Sequence, residues 1–295
     1  MHIKQSLYKL LLRTNLISYK IIVVIDGGIC SQMCQYLLGH MYKERGFKVA
    51  YDLSFYKEWG MDLNKEYVRN FDLLKAFPNM CFKEATEFEI AWYRKRYYYD
   101  GNNIDDLSFL ELKPPIYLGG YYHFPSEMWR QKFRNLYKVD YNILDTQNRL
   151  VLDEIQSRSC SVGVHVRRGD LKEEIVSYGK PATLDYFQKA INFFIQRDLE
   201  PFFYIFSDEP QWVLGEMLPR LLISRDKVRI VDINSSDRGF VDLFLLAACS
   251  HQIASKGSLG KFGALLADNP DKIVILCDDV TQYYWKSLLQ NVIFL

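Results

Sequence analysis

Lys20-Ile21-Ile22-Val23-Val24-Ile25-Asp26-Gly27-Gly28 places five β-branched apolar residues in a row and follows them with an acid and two glycines. A continuous run of this kind fits a strand buried on both faces, and the glycines fit a tight turn at its end. Beyond them Met33, Tyr36, Leu37, His40 and Met41 recur at intervals of three and four, so a helix follows. The next apolar run, Phe47 to Tyr51, stands where a parallel strand would return. The result is a βαβ unit and an α/β fold class.

A second series begins near residue 160. Ser161 to Val166 reads as a strand, Leu184 to Gln196 as a helix and Phe202 to Phe206 as a strand. Val228 to Val231, an apolar helix Asp242 to Cys249, Gln252 to Ala254, a glycine turn into Phe262 to Ala267, and a strand Lys272 to Leu276 complete it. Strands and helices alternating in both halves predict two Rossmann-like lobes facing a cleft. The expected division is an extension over 1–19, a first lobe over 20–150 and a second over 151–295.

Composition narrows the function. The 295 residues carry 37 Lys+Arg against 36 Asp+Glu, a balance that argues against nucleic acid as a partner. The cation- and ring-rich Trp92 to Tyr99 is therefore read as rings that stack on sugar faces or pack the lobe, within an irregular stretch from 53 to 115. With 49% apolar residues a sizeable core is affordable. The longest apolar runs, Ile21 to Ile25 and Leu243 to Cys249, fall far below the ~20 residues of a membrane span. No secretory signal pattern opens the chain, so a cytoplasmic location is expected. Six cysteines without a C-x-x-C pair predict neither a disulfide framework nor a zinc site, and no metal site is expected elsewhere. Residues 1–18 read as a basic amphipathic helix, with Ile3, Leu7, Leu10, Leu11 and Thr14 on one side and Lys4, Lys9 and Arg13 around it. It is either an appended terminal helix or a peripheral contact with the inner face of an anionic membrane.

The chemistry concentrates where strands end. His165-Val166-Arg167-Arg168-Gly169-Asp170 closes the strand from 161, and two adjacent guanidiniums there are costly to bury without an anion. Arginine offers planar, permanently charged donors that match phosphate oxygens; an Arg–Asp cluster at a strand end is the plainer reading. Ser207-Asp208-Glu209 leaves the next strand with a hydroxyl and carboxylates, serving a ligand, capping Pro210-Gln211-Trp212, or both. Ser255-Lys256-Gly257-Ser258-Leu259-Gly260 is a strand-to-helix turn whose N–H groups, hydroxyls and lysine suit a diphosphate. Asp26 is either a base beside the glycines or a turn aspartate.

In order along the chain, these residues resemble family 11 glycosyltransferases, the α-1,2-fucosyltransferases that use GDP-fucose. The family's G-G-L-G-N-Q-M-F-Q-Y is similar to Gly27 to Tyr36, its H-x-R-R-G-D to His165 to Asp170, and its F-S-D to Phe206 to Asp208. Gly119-Gly120-Tyr121-Tyr122 with Ser126-Glu127 resembles its G-Y-x-Q-S-E stretch, and Asp242 to Ile253, onward to Ala264, its C-terminal block. Two segments depart: Cys30-Ser31 stands for G-N, and Lys256 to Phe262 for N-S-T-F-S-W-W.

The resemblance implies a GT-B architecture, an acceptor lobe followed by a GDP-sugar-binding lobe, and inverting transfer without a cofactor or essential metal. It gives catalytic weight to Arg167 and Arg168, positioned by His165 and Asp170, with Asp26 as base. Donor binding falls to Gly27, Gly28, Gln32, Ser207, Asp208, Asp242, Lys256, Gly257 and Ser258. The partners implied are a nucleotide-sugar donor and a glycan acceptor with a galactose-type hydroxyl, in surface polysaccharide synthesis. A different GDP-sugar or linkage, motivated by the altered 256–262 segment, and a non-catalytic glycan-binding relative are the alternatives.

Overall fold

A computed structural model of the chain describes residues 2–14, 16–61, 65, 67–101, 108–120, 126–172, 180–197 and 200–295. The chain divides into two compact units, residues 1–60 with 79–124, and residues 61–78 with 125–295.

The first unit carries α1 (His2–Arg13), β1 (Ile21–Val24), α2 (Ile29–Glu44), β2 (Val49–Asp52), α3 (Glu87–Arg96), β3 (Tyr98–Asp100) and β4 (Ile116–Gly119). Its four strands are all parallel in the order β2-β1-β4-β3. The β-branched run is the strand it predicts, with Ile21, Ile22 and Val23 fully buried between two neighbours. The stretch expected to be irregular holds a regular element. Thr86 caps α3 through a capping box with Glu89, and Trp92 and Tyr93 are buried along it. Its cations are engaged locally, Arg96 lying 3.7 Å from the Trp92 ring centroid and Arg94 bonding Asp52. This is the lobe-packing use of those rings.

The second unit carries α4 (Glu127–Leu136), α5 (Thr146–Ser157), β5 (Ser161–Val166), α6 (Leu184–Ile195), β6 (Phe202–Ser207), β7 (Val228–Ile230), α7 (Gly239–Ala248), β8 (His251–Ala254), α8 (Leu259–Leu266), β9 (Val274–Leu276) and β10 (Val292–Phe294). Its six parallel strands run β10-β9-β8-β5-β6-β7, the doubly wound order in which the chain reverses direction between β5 and β8. β5 is buried along its whole length and alternates its faces. Val162, Val164 and Val166 join Phe187, Ile191 and Phe194 of α6 in one core. On the other face, Gly163 sits against Leu246 and Cys249 at the end of α7. His165 lies on that second face.

The expected boundary at 150 does not hold, because residues 125–150 and 61–78 pack on the second sheet. Phe133 of α4 meets Phe262 at 5.3 Å between centroids, and Phe77 meets Tyr137 at 4.9 Å and Phe244 at 5.7 Å. These rings bury against one another, so the unit is assembled from two separate stretches of chain. The expected extension over 1–19 is likewise part of the first unit, since Tyr8 of α1 packs on α3.

Candidate active site

Three neighbouring strands of the second unit release their chains at one edge. Register pairs His165 with Phe206 on β6 and with Ala254 on β8, so the segments after each strand emerge side by side. In an open α/β sheet the crevice beyond the strand C-termini at the reversal point is the place for a ligand.

Asp208 organises this edge. Its Oδ1 accepts the backbone N–H of Arg168 at 3.0 Å, its Oδ2 that of Gly169 at 3.0 Å, and the same Oδ2 takes Arg167 Nη1 at 2.9 Å. Arg168 is held differently: its Nε meets Glu209 at 3.2 Å and its guanidinium lies 3.6 Å from the Trp212 ring centroid. Glu209 also takes the ammonium of Lys172. Both arginine side chains are about four-fifths buried, so each cation is oriented rather than left to wander in solvent. Ser207 Oγ accepts the Glu209 N–H at 3.0 Å, closing the turn. The expected capping of Pro210-Gln211-Trp212 by Ser207 or Asp208 is not what forms: the cap position is Glu209 without a side-chain bond, Ser207 closes its own turn, and Asp208 is engaged by the turn after β5. Asp170 lies in the 3-10 turn Gly169–Leu171, and its side chain is outside the described residues.

The turn after β8 forms the other wall. Ser255 Oγ accepts the Arg167 N–H at 2.8 Å, tying the two segments together across 88 residues of sequence. Gly257 adopts φ +95°, and a Cβ there would press to 3.3 Å on Arg167 Cγ. Only glycine lets the turn approach the arginine this closely. Ser258 starts α8 without a side-chain capping bond. Lys256 is ion-paired with Asp279 at 2.6 Å, and buried Lys261 donates to the Gly257 carbonyl at 2.7 Å.

His165 is 5% exposed, and burial with the charges of Arg167 and Lys261 pushes its pKa down to about 3. It is a neutral imidazole at working pH, and its Nδ1 has no hydrogen-bond partner among the described residues. Its backbone carbonyl accepts the Ser255 N–H at 3.1 Å. Asp242, near the start of α7, accepts from Asn234 at 2.8 Å, and burial pushes its pKa up to about 7.

The remaining predicted residues belong to the first unit. Gly27 takes φ +67°, and its carbonyl accepts from Gln32 Nε2 at 3.1 Å and from the Tyr56 hydroxyl at 2.9 Å. Gly28 caps α2 in extended backbone. Gln32 therefore braces the turn. Asp26 is held by Gln35, and burial raises its pKa above the ordinary carboxylate range. At the neighbouring strand end, fully buried Asp52 accepts the Tyr117 hydroxyl at 2.5 Å and Arg94 Nη2 at 3.2 Å. Tyr121 and Tyr122 lie outside the described residues. Glu209, Trp212, Ser255, Asp279 and Gln35 were not singled out as site residues in the sequence. Glu209, Ser255 and Gln35 stood inside motifs already noted, whereas nothing in the sequence pointed to Trp212 or Asp279 as site residues.

Among the described residues no three His, Cys, Asp or Glu side chains group as a metal site, and no helix is long and apolar enough to cross a membrane. The structure is similar to the Escherichia coli ADP-heptose LPS heptosyltransferase II, with a TM-score of 0.50 and 12% identity over 94% of this chain and 90% of that one. With its two parallel-sheet units, the fold is that of the GT-B glycosyltransferases. The domain described as glycosyl transferase family 11 matches residues 79–284, and the chain belongs to that family. The match begins after the Gly27 to Tyr36 segment. The chain is 22% identical over 288 residues to the O-antigen biosynthesis glycosyltransferase WbnK of Escherichia coli, covering 85% of this chain and 91% of that protein. It is 34% identical over 113 residues to the galactoside 2-alpha-L-fucosyltransferase SEC1 of Bos taurus, covering 37% of this chain and 29% of that protein. The matching segment spans less than a third of that relative's length.

Proposed function

We propose that the protein transfers L-fucose from GDP-fucose, with inversion, to a galactose-type hydroxyl of a glycan, forming an α-1,2 linkage. The observation that carries this reading is the pair Arg167 and Arg168, held by Asp208 and Glu209 at the sheet's reversal point. As the bond from the fucosyl carbon to the phosphate oxygen breaks, its electron pair stays on that oxygen. The two guanidiniums neutralise the charge that develops there, the role a metal fills in other transferases. The N–H groups of the 257–260 turn, at the start of α8, and the Ser258 hydroxyl add donors. Asp242 is assigned to the nucleotide as an acceptor. Asp26 takes the proton of the attacking hydroxyl; burial raises its pKa above the ordinary carboxylate range, which makes it a stronger base than a free aspartate. Assembly of a surface polysaccharide at the cytoplasmic side is the matching setting, in line with the likeness to a protein named for O-antigen biosynthesis.

The Lys256–Asp279 ion pair favours a second reading, in which a different GDP-sugar or linkage is served, because a charged residue stands in the segment where the family pattern is neutral. A glycan-binding protein without transfer is the third. Calorimetric titration with GDP, GDP-fucose, GDP-mannose and UDP-galactose in EDTA separates them, followed by product analysis with a galactoside acceptor. Selective binding of GDP and GDP-fucose with turnover supports the proposal. Selective turnover of another GDP-sugar supports the second reading, and guanine nucleotide binding without turnover supports the third. No guanine nucleotide binding would overturn all uses of the arginine pair given above.

A further inference from the structure

The side of α1 that the sequence marks as apolar is not the side the protein buries. Tyr8 lies edge-on to Phe88 at 5.3 Å and to Trp92 at 5.6 Å between ring centroids, and Leu12, one turn on, is 7% exposed. Tyr8 docks α1 on α3, and Leu12 is buried on the same side of the helix. Leu7 and Leu10, three apart and nearly opposite the docked side, are 53% and 56% exposed, and Leu16 just past the helix is 73% exposed. The helix thus has a second apolar side that the first unit does not cover.

Its surroundings are basic. Lys9 and Arg13, four apart, line a third side of α1, and both are exposed. The Lys9 ammonium stands 5.7 Å from the Trp92 ring that Arg96 also faces, so a cation from α3 joins them. The first twenty residues contain no Asp or Glu; of their cations Lys20 is paired with Glu89 of α3, which leaves Lys4, Lys9 and Arg13. A second copy of the chain offering this same side would bring like charges together across the two-fold axis. An anionic surface instead neutralises them.

We propose that α1 seats the first unit on an anionic lipid bilayer, with Leu7, Leu10 and Leu16 in the boundary beneath the headgroups and Lys9 and Arg13 among them. Two or three leucines and a few cations bind weakly and reversibly, so the apolar and the electrostatic parts are both needed. The docking of Tyr8 and the burial of Leu12 fix the orientation: the exposed leucines point away from the unit, so the bilayer lies on the outer side of α1. This surface serves the protein whether or not the transfer reading holds.

Flotation of the full chain with phosphatidylcholine vesicles, with and without phosphatidylglycerol, tests it. The chain floats with the anionic vesicles only, and 0.5 M NaCl returns it to the bottom fraction. Leu7→Ser with Leu10→Ser, and separately Arg13→Glu, each cut partitioning by about tenfold or more. Both variants keep the wild-type melting temperature and nucleotide titration, because these side chains are largely exposed, so failure here is distinct from failure of the transfer reading. Three results overturn the proposal: no flotation with anionic vesicles, flotation that the leucine pair does not change, or a micromolar dimer of the wild type that the leucine substitutions dissolve.

Discussion

Gln35 grips Asp26 from two sides: the Asp26 backbone N–H donates to Gln35 Oε1 at 2.9 Å, and Gln35 Nε2 donates to Asp26 Oδ1 at 2.7 Å. The same Nε2 reaches the Gly120 carbonyl at 3.3 Å, so one fully buried amide joins the ends of β1 and β4. Of the described residues only Gln35 bonds this carboxylate, and no charged group among them perturbs it. Burial raises its pKa and the Gln35 bond lowers it.

A pH–rate test follows. The acid limb of kcat is expected above the ordinary Asp range of about 3.9. Gln35→Met removes the bond that favours the charged form, so the limb moves to higher pH while GDP affinity is unchanged. Asp26→Asn is expected to lower kcat by about 100-fold or more. Full activity in Asp26→Asn, or a limb that stays in place in Gln35→Met, removes Asp26 from the proton transfer.

Arg168→Ala is expected to slow transfer by about 100- to 1,000-fold with an unchanged circular dichroism melt. Its guanidinium is held by stacking on Trp212 and by Glu209 rather than by core packing. Arg168→Lys should recover little, since an ammonium cannot both lie flat on the indole and present a planar fork to phosphate. Substantial rescue by lysine would mean that net charge alone matters at this position.

Asp208→Asn should behave differently from Arg168→Ala. Its two oxygens hold the Arg168 and Gly169 N–H groups and the Arg167 guanidinium, and an amide nitrogen at either position loses an acceptor. A loss of roughly 1–3 kcal/mol in denaturant unfolding, together with reduced nucleotide binding, is the expected result. Unchanged stability with weakened binding would assign the carboxylate to the ligand instead.

Asp242 gives stability a defined pH slope. Burial holds its folded pKa at about 7, above the ordinary Asp range of about 3.9, so between those values the folded state keeps a proton that the unfolded state has released. Stability is therefore fully present below about pH 4 and is lost as pH rises through 7. Asp242→Asn keeps an acceptor for Asn234 and removes the slope, raising the melting temperature by a few degrees at pH 8 and leaving it near wild type at pH 4. The measurement is a pair of thermal melts at the two pH values.

Much of the fold could be read from the chain because its buried strands are short apolar runs, β-branched in β1 and aromatic in β6. β1, β5 and β6 stand within a residue or two of where the runs place them. α3 was missed because aromatic and charged residues blur its apolar period; the Thr86-x-x-Glu89 capping box was the available signal. The boundary at 150 failed because linear reading has no means of assigning residues 61–78 to a sheet that begins a hundred residues later. Within the site, adjacency made Arg167 and Arg168 legible. Ser255, Trp212 and Asp279 matter through strand register and ring stacking, which link positions far apart in sequence. Lys256 shows the same limit: its type suggested a cation for the diphosphate, but its partner Asp279 lies across another strand.

The reversal between β5 and β8 also sets an order of events during synthesis. The arginine turn leaves β5, pairs first with the β6 segment, and meets its second wall only when Ser255 arrives 88 residues after Arg167. A nascent chain that ends before β8 therefore carries both arginines and Asp208 but has one open side, with the central strand lacking a neighbour. Anion binding of the kind proposed for this edge therefore waits until β8 and the Ser255 turn have been made.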